Sequence, residues 1–197
     1  MIQQKDILEN SKKNVIHIFG ASGSGTSTLG KYISKQLGYT FIDTDDYFWL
    51  PTDIPFTETR QQKERIEMLK RDIDNSKNVV ISGFLVGWAD EIIPLITLAI
   101  RLVTSSDVRL KRINEREFNK YGDRILPNGD MYEQYQSFIE RASKYDDGDY
   151  TVRSKKLHDL WQEKLNCKIA VLSGEDSLKH NCEIIKKLAN CSKFSIT

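Results

Sequence analysis

The chain is poor in cysteine and proline, and it has no long apolar run. Its three cysteines, Cys167, Cys182 and Cys191, fall near the C-terminus with no C-x-x-C pair and no histidines at zinc-site spacing. That pattern excludes a disulfide framework and a structural zinc site, and it predicts reduced thiols in a cytoplasmic protein. The longest apolar run, 92–100, is too short to cross a bilayer, and the first fourteen residues lack an apolar signal core, so no membrane is expected as a partner. Neither sign of charge dominates. A formal net charge of +1 supplies no global field toward nucleic acid or an anionic surface, so neither is an expected partner. With no internal repeat or low-complexity tract, 197 residues suit one compact domain spanning 1–197.

What the chain does have is glycine in one place: Gly20-Ala21-Ser22-Gly23-Ser24-Gly25-Thr26-Ser27-Thr28, after the apolar run Val15-Ile16-His17-Ile18-Phe19. A phosphate loop requires Gly, four residues, Gly, Lys, then Ser or Thr; Gly20, Gly25 and Ser27 fit, while Thr26 stands where lysine belongs. Such glycines let the backbone curl around an anion, and the N-terminus of the following helix adds partial positive charge. The predicted nucleotide-binding set is therefore Gly20, Ser22, Gly23, Ser24, Gly25, Thr26, Ser27 and Thr28, with the Ser27 hydroxyl as a magnesium ligand. A turn that binds nothing leaves three glycines in six residues without a reason. A rival reading takes Gly20-x-x-Gly23-x-Gly25 as a dehydrogenase dinucleotide loop, with Asp43 as the ribose-binding acid. That reading lacks its catalytic pair, since no tyrosine has lysine four residues later.

Apolar, β-rich runs at 14–19, 39–42, 78–81, 98–103 and 168–172 alternate with helical patterns at 29–37, 57–75, 89–96, 107–121, 131–144 and 151–165, and with a last helix to about 189. Residues 1–13 read as a loose lead-in or short helix, 47–56 as irregular, and 146–149 as a solvated acidic turn. Alternating strands and helices predict an open parallel α/β sheet with its ligands beyond the carboxyl ends of the strands. Those ends read Gly20, 43–46, Ser82-Gly83, Ser105-Ser106 and Ser173-Gly174, all small or polar.

Asp43-x-Asp45 has the period of a strand, so an extended strand end would turn both carboxylates into the crevice. One would serve magnesium and the other an acceptor hydroxyl; the competing reading is a turn or helix cap. Arg109, Arg112 and Arg116 share one helical face, where an anion would relieve their mutual repulsion. A solvated face balanced by Glu115 and Glu117 is the alternative. Arg60 and Arg65 either anchor an anionic acceptor or form surface ion pairs. Tyr47, Phe48, Trp49, Phe56, Phe84 and Trp88 flank the acceptor side, though core packing is the expectation for most of them. His17 is expected to be a satisfied core histidine.

The loop at 20–28, the Asp43-Thr44-Asp45 pair and the 109–116 arginines together resemble the P-loop small-molecule kinases related to adenylate, cytidylate and shikimate kinases. They are also similar to an adenylate-kinase-like subgroup whose loop ends Gly-Thr-Ser. The resemblance implies a three-layer P-loop NTPase fold with a five-stranded parallel sheet in order 2-3-1-4-5, an acceptor-binding segment near 47–76 and a helical lid near 109–130. It implies ATP and Mg2+, with Ser27 and Asp43 on the metal and Asp45 as the acceptor-side acid. Arg112 and Arg116 would close over the phosphates, Arg60 and Gly83 would lie on the acceptor side, and 173–176 near the nucleotide base. The implied activity is phosphoryl transfer from ATP to a small hydroxyl- or phosphate-bearing acceptor, a nucleoside or nucleotide among them. A nucleotide-binding module without catalysis is the alternative, and an NAD(P)-dependent dehydrogenase the third choice. No Gly-Gly-Gly follows the third strand, which argues against shikimate as acceptor. The source of the charge missing at Thr26 is left open between a lid arginine and a lysine from elsewhere.

Overall fold

The computed structural model describes residues 13–191, so the lead-in expected at 1–13 lies, but for Lys13, outside the described residues. Five parallel strands form one sheet in the order β2-β3-β1-β4-β5: β1 (Val15–Gly20), β2 (Thr40–Asp43), β3 (Val79–Ser82), β4 (Leu98–Val103) and β5 (Lys168–Ser173). This is the expected fold class and strand order. Every residue of β1 is buried, because helices cover both faces of a central parallel strand. Ile16 and Ile18 pack with Leu29 and Ile33 of α1 (Thr26–Leu37) and Ile185 of α7 (Leu178–Cys191). Val15 and Phe19 point the other way, to Leu69 and Ile73 of α3 (Gln62–Asn75) and Trp161 of α6 (Lys155–Gln162). The period of two along one strand thus divides the core into two apolar layers. Leu69 and Ile73 are almost wholly enclosed, and burial of each contributes roughly 2 kcal/mol.

The parallel register brings all five strand ends to one edge. Gly20 lies opposite Leu102, Asp43 opposite Ser82, and Val103 opposite Ser173. Helix α4 (Ser106–Tyr121) begins just past the end of β4 and packs against α5 (Tyr132–Ser143).

Four expectations are corrected. The segment after β2 opens with a short helix, α2 (Thr44–Phe48), rather than continuing extended, because the Asp43 side chain accepts a bond from the Asp45 amide at 3.2 Å and caps it. Helix α3 begins at Gln62, since an antiparallel bridge between Trp49 and Thr59 holds the preceding residues extended. Helix α6 begins at Lys155, with Ser154 as its cap accepting from the Leu157 amide; residues 151–154 therefore lie in a loop. The acidic turn is not merely solvated, because Asp146 pairs with the fully buried Arg109.

Candidate functional site

The loop between β1 and α1 has the backbone that its sequence requires. Gly23 adopts φ +78°, and a Cβ there would lie 2.5 Å from the Arg109 carbonyl oxygen, so glycine alone fits both the hand of the turn and the close approach. Gly25 caps α1 with φ 98° and no side chain bonds to the helix start, which leaves the first amides of α1 turned toward the crevice for an anion. Thr104 Oγ1 donates to the Ser24 carbonyl at 3.1 Å and ties the loop to the end of β4.

Below the loop, Ser27 Oγ donates to Asp43 Oδ2 at 2.9 Å, and Ser82 Oγ lies 3.4 Å from Ser27 Oγ. A hydroxyl and a carboxylate held together are hard oxygen donors, the chemistry that magnesium selects, so the residues present fit that ion. Asp45 sits one residue into α2 and is exposed. The protein around it withdraws water and pushes its carboxyl above the ordinary carboxylate range; Arg153 opposes that shift, Asp43 and Asp46 add to it, and Arg116 opposes it more weakly. The acid pair is thus brought together, but by a helix cap instead of an extended strand.

The predicted arginine face divides. Arg109 is fully buried, donating to the carbonyls of Thr104 and Ala142 and pairing with Asp146; it is structural and faces no anion. Arg112 Nη1 donates to the Gly174 carbonyl at 3.0 Å and lies 3.9 Å from where a Cβ on Gly25 would be. Arg116 is exposed and paired with Glu117. Glu175, close by, accepts from the Ser105 amide at 2.9 Å, and Gly174 lies against the Ser24 carbonyl of the loop. On the other flank, Arg60 donates to the Tyr47 carbonyl and pairs with Glu64, which is a brace for the segment. Gly83, at φ +115°, lets the end of β3 approach α2 where a Cβ would lie 2.0 Å from Thr44 Oγ1.

Two side chains stand out that the motifs do not announce. The Arg65 guanidinium lies 4.1 Å from the centroid of Phe48 and 5.5 Å from that of Trp88. Arg153, in the loop before α6, donates from Nη2 to the Gly20 carbonyl at 3.3 Å and lies 4.4 Å from the Phe84 ring. Arg65 was legible only as one of two anchor candidates, and Arg153 carries no motif at all. His17 is buried as expected, but only half satisfied: Nδ1 is 3.3 Å from the Ile81 carbonyl and Nε2 has no partner.

A sheet of this order with an anion loop after β1 and a serine–aspartate pair below it defines a P-loop nucleotide-binding fold. Residues 16–138 match the family model described as an AAA domain; the chain belongs to that family, and its resemblance to P-loop small-molecule kinases is borne out. It is 40% identical over 172 residues to the uncharacterized protein YqaC of Bacillus subtilis (strain 168), across 87% of this chain and 94% of that protein. It is 30% identical over 113 residues to cytidylate kinase of Archaeoglobus fulgidus, across 52% of this chain and 61% of that enzyme. Shikimate kinase of Bacteroides thetaiotaomicron shares the fold, with a TM-score of 0.53 at 15% identity over 90% of this chain and 98% of that one.

Proposed function

We propose that the protein is an ATP- and magnesium-dependent kinase of a small hydroxyl- or phosphate-bearing acceptor, with nucleosides and nucleotides the first to try. The observation that carries this reading is the Ser27–Asp43 hydrogen bond beneath the loop, with Asp45 two residues further on. One acid is engaged with the metal-side hydroxyl, and the other is left exposed with raised proton affinity. In this reading the acceptor oxygen gives its proton to Asp45 as it bonds to the γ-phosphorus, and the bond from that phosphorus to the bridging oxygen of ADP breaks. Magnesium, held by Ser27 and Asp43, would supply charge neutralisation at the transferring group. Residues 109–130 serve as the lid, from which Arg112 and Arg116 reach the nucleotide, and 47–76 bind the acceptor. Arg60 and Gly83 then act by bracing that segment, while Arg65, stacked on Phe48, offers its charge to an anionic acceptor.

Thr26 favours a second reading, a nucleotide-binding module without turnover, because the loss of one donor of charge to the transition state costs roughly 10²–10³ in rate. ADP formation measured with ATP, magnesium and a panel of nucleosides, nucleoside monophosphates, sugars and cyclitols separates the two. Acceptor-dependent turnover is the expected result. Calorimetric ATP binding with no turnover above the water-only rate on any acceptor would establish the module instead.

A further inference from the structure

We propose that Arg153 supplies the positive charge that Thr26 lacks, delivering it to the terminal phosphate of the bound nucleotide from the loop before α6. The inference rests on the nucleotide-binding reading above and names the residue that completes it.

Among the described residues, Arg60, Arg71, Arg101, Arg109, Arg116 and Arg124 each have a carboxylate within 4.0 Å. Arg153 has none, although it is set in protein deeply enough that burial lowers its proton affinity. Its hydrogen bond goes to a neutral carbonyl, and its Nε is buried without a partner. Burying a cation in this state is unfavourable, and natural cores pair such charges. Arg101 and Arg109 show that this chain does so where a guanidinium only supports the fold.

The position of Arg153 supplies the reason. The carbonyl it holds belongs to Gly20, the first residue of the phosphate loop, and the acids whose fields favour its charge include Asp45 and Asp43. The guanidinium is therefore fixed at the phosphate loop by its bond to Gly20, within the electrostatic reach of Asp43 and Asp45, and charge develops on a transferring phosphoryl group beside such a loop. Arg112 also touches the loop, but it is held by the Gly174 carbonyl on the opposite side, toward Glu175. Arg153 is also fixed in place before any lid moves. Gly148 N donates to the Lys144 carbonyl and Lys155 N to the Tyr145 carbonyl, both at 2.7 Å, and the Ser154 hydroxyl donates to the Asp149 carbonyl at 2.5 Å. The Phe84 face beneath the guanidinium favours a planar cation.

The test is calorimetric binding of Mg·ATP and Mg·ADP to the full chain, so it does not depend on finding the acceptor. Arg153→Gln keeps a donor for the Gly20 carbonyl while removing the charge, and Arg153→Met is the second variant should the first not fold. The wild type is expected to prefer ATP. Arg153→Gln should lose ATP affinity about tenfold or more while ADP changes less than about threefold, since a charge-assisted bond is worth that much. Thr26→Lys placed in the Arg153→Gln background should restore most of the loss, because lysine at that position reaches the same phosphates. Arg112→Met should weaken both nucleotides alike. An Arg153→Gln chain that keeps the wild-type preference, or a double variant with no recovery, overturns the proposal alone. Failure of the wild-type chain to bind either nucleotide overturns the nucleotide-binding reading with it.

Discussion

Two groups of arginine occupy this molecule, and they are handled in opposite ways. Arg101 on β4 pairs with Asp159 and Gln162, and Arg109 on α4 pairs with Asp146, each guanidinium almost sealed from solvent. Arg65, Arg112 and Arg153 stand around the edge where the strands end, are also sheltered, and have no carboxylate within 4.0 Å among the described residues. Their partners are aromatic faces and backbone carbonyls. A sheltered guanidinium paired with a carboxylate is spent on the fold, whereas a sheltered one resting on neutral groups keeps its charge available to an anion. The difference separates guanidiniums that serve the fold from those that the proposed function leaves for a ligand.

The largest expected effect lies in the second region. If its unpaired charges serve a reaction, Asp45→Asn should lower acceptor-dependent turnover by about 10³-fold while ATP affinity stays within about twofold. The acid limb of kcat against pH should lie above the ordinary carboxylate range, because burial raises the Asp45 proton affinity. Arg153→Lys should leave that limb in place, whereas loss of the charge in Arg153→Gln should move it higher. Turnover unchanged by Asp45→Asn would remove Asp45 from the chemistry.

The first region should answer in stability. Asp146→Asn leaves the buried Arg109 without its carboxylate, and a cost of about 3 kcal/mol is expected in the urea-derived free energy of unfolding, at the low end for a broken buried pair because Asp146 is itself half exposed. Arg153→Gln in the same experiment should cost under about 1 kcal/mol, as a charge that lacks a partner adds little to the fold. Equal losses would erase the distinction between the groups.

Much of this arrangement is legible in the chain, and the rest is hidden for identifiable reasons. The loop, Ser27 and the parallel sheet rest on short-range signals: fixed glycine spacing, a consecutive apolar run in a doubly covered strand, and alternation of element types; the strand order follows only from the family resemblance. Asp-x-Asp was readable either as strand period or as helix cap, and the cap formed because Asp43 could bond the Asp45 amide. Arg109 and Arg112 are indistinguishable by spacing. They part company because Asp146, 37 residues away, reaches one of them. Arg153 meets Gly20 across 133 residues, in a stretch whose pattern reads as helix until Ser154 is seen to begin it. Long-range pairings of single polar residues leave no periodic trace.

The buried histidines give a smaller effect that belongs to the first region. Burial lowers His17 to about 4, with the bond to Ile81 opposing, and His158 is lowered further by burial and by Arg153 and Arg101. Both values lie below the unfolded-state value of about 6.5. The unfolded chain therefore binds more protons in acid, and stability present above pH 6.5 is lost as pH falls, through about 4 for His17. Between pH 7 and pH 5, His17 alone should account for about 2 kcal/mol. Replacing it by phenylalanine, which suits its stacking with Phe19 at 5.5 Å, should remove that share of the acid sensitivity. An unaltered pH dependence in His17→Phe would show that the ring titrates in the fold as it does in the unfolded chain.

Arg65 falls between the two groups, because its surroundings resemble a core and its pairing resembles a ligand site. Its Nε donates to the Arg60 carbonyl at 2.7 Å, its plane covers Phe48 and Trp88, and it sits at the start of α3 against the helix that carries Asp45. Burial lowers its proton affinity, and cation–π attraction offsets part of that cost without consuming the outer N–H groups. A charge kept for an anionic acceptor should show itself in KM. Arg65→Met should raise the acceptor KM about tenfold with kcat nearly unchanged, and Arg65→Lys should not rescue it, since an ammonium cannot stack and fork at once. Stability should move by less than about 1 kcal/mol, because methionine keeps the apolar contact with both rings. A stability loss as large as that of Asp146→Asn, with KM unmoved, would transfer Arg65 to the structural group and remove it from acceptor binding.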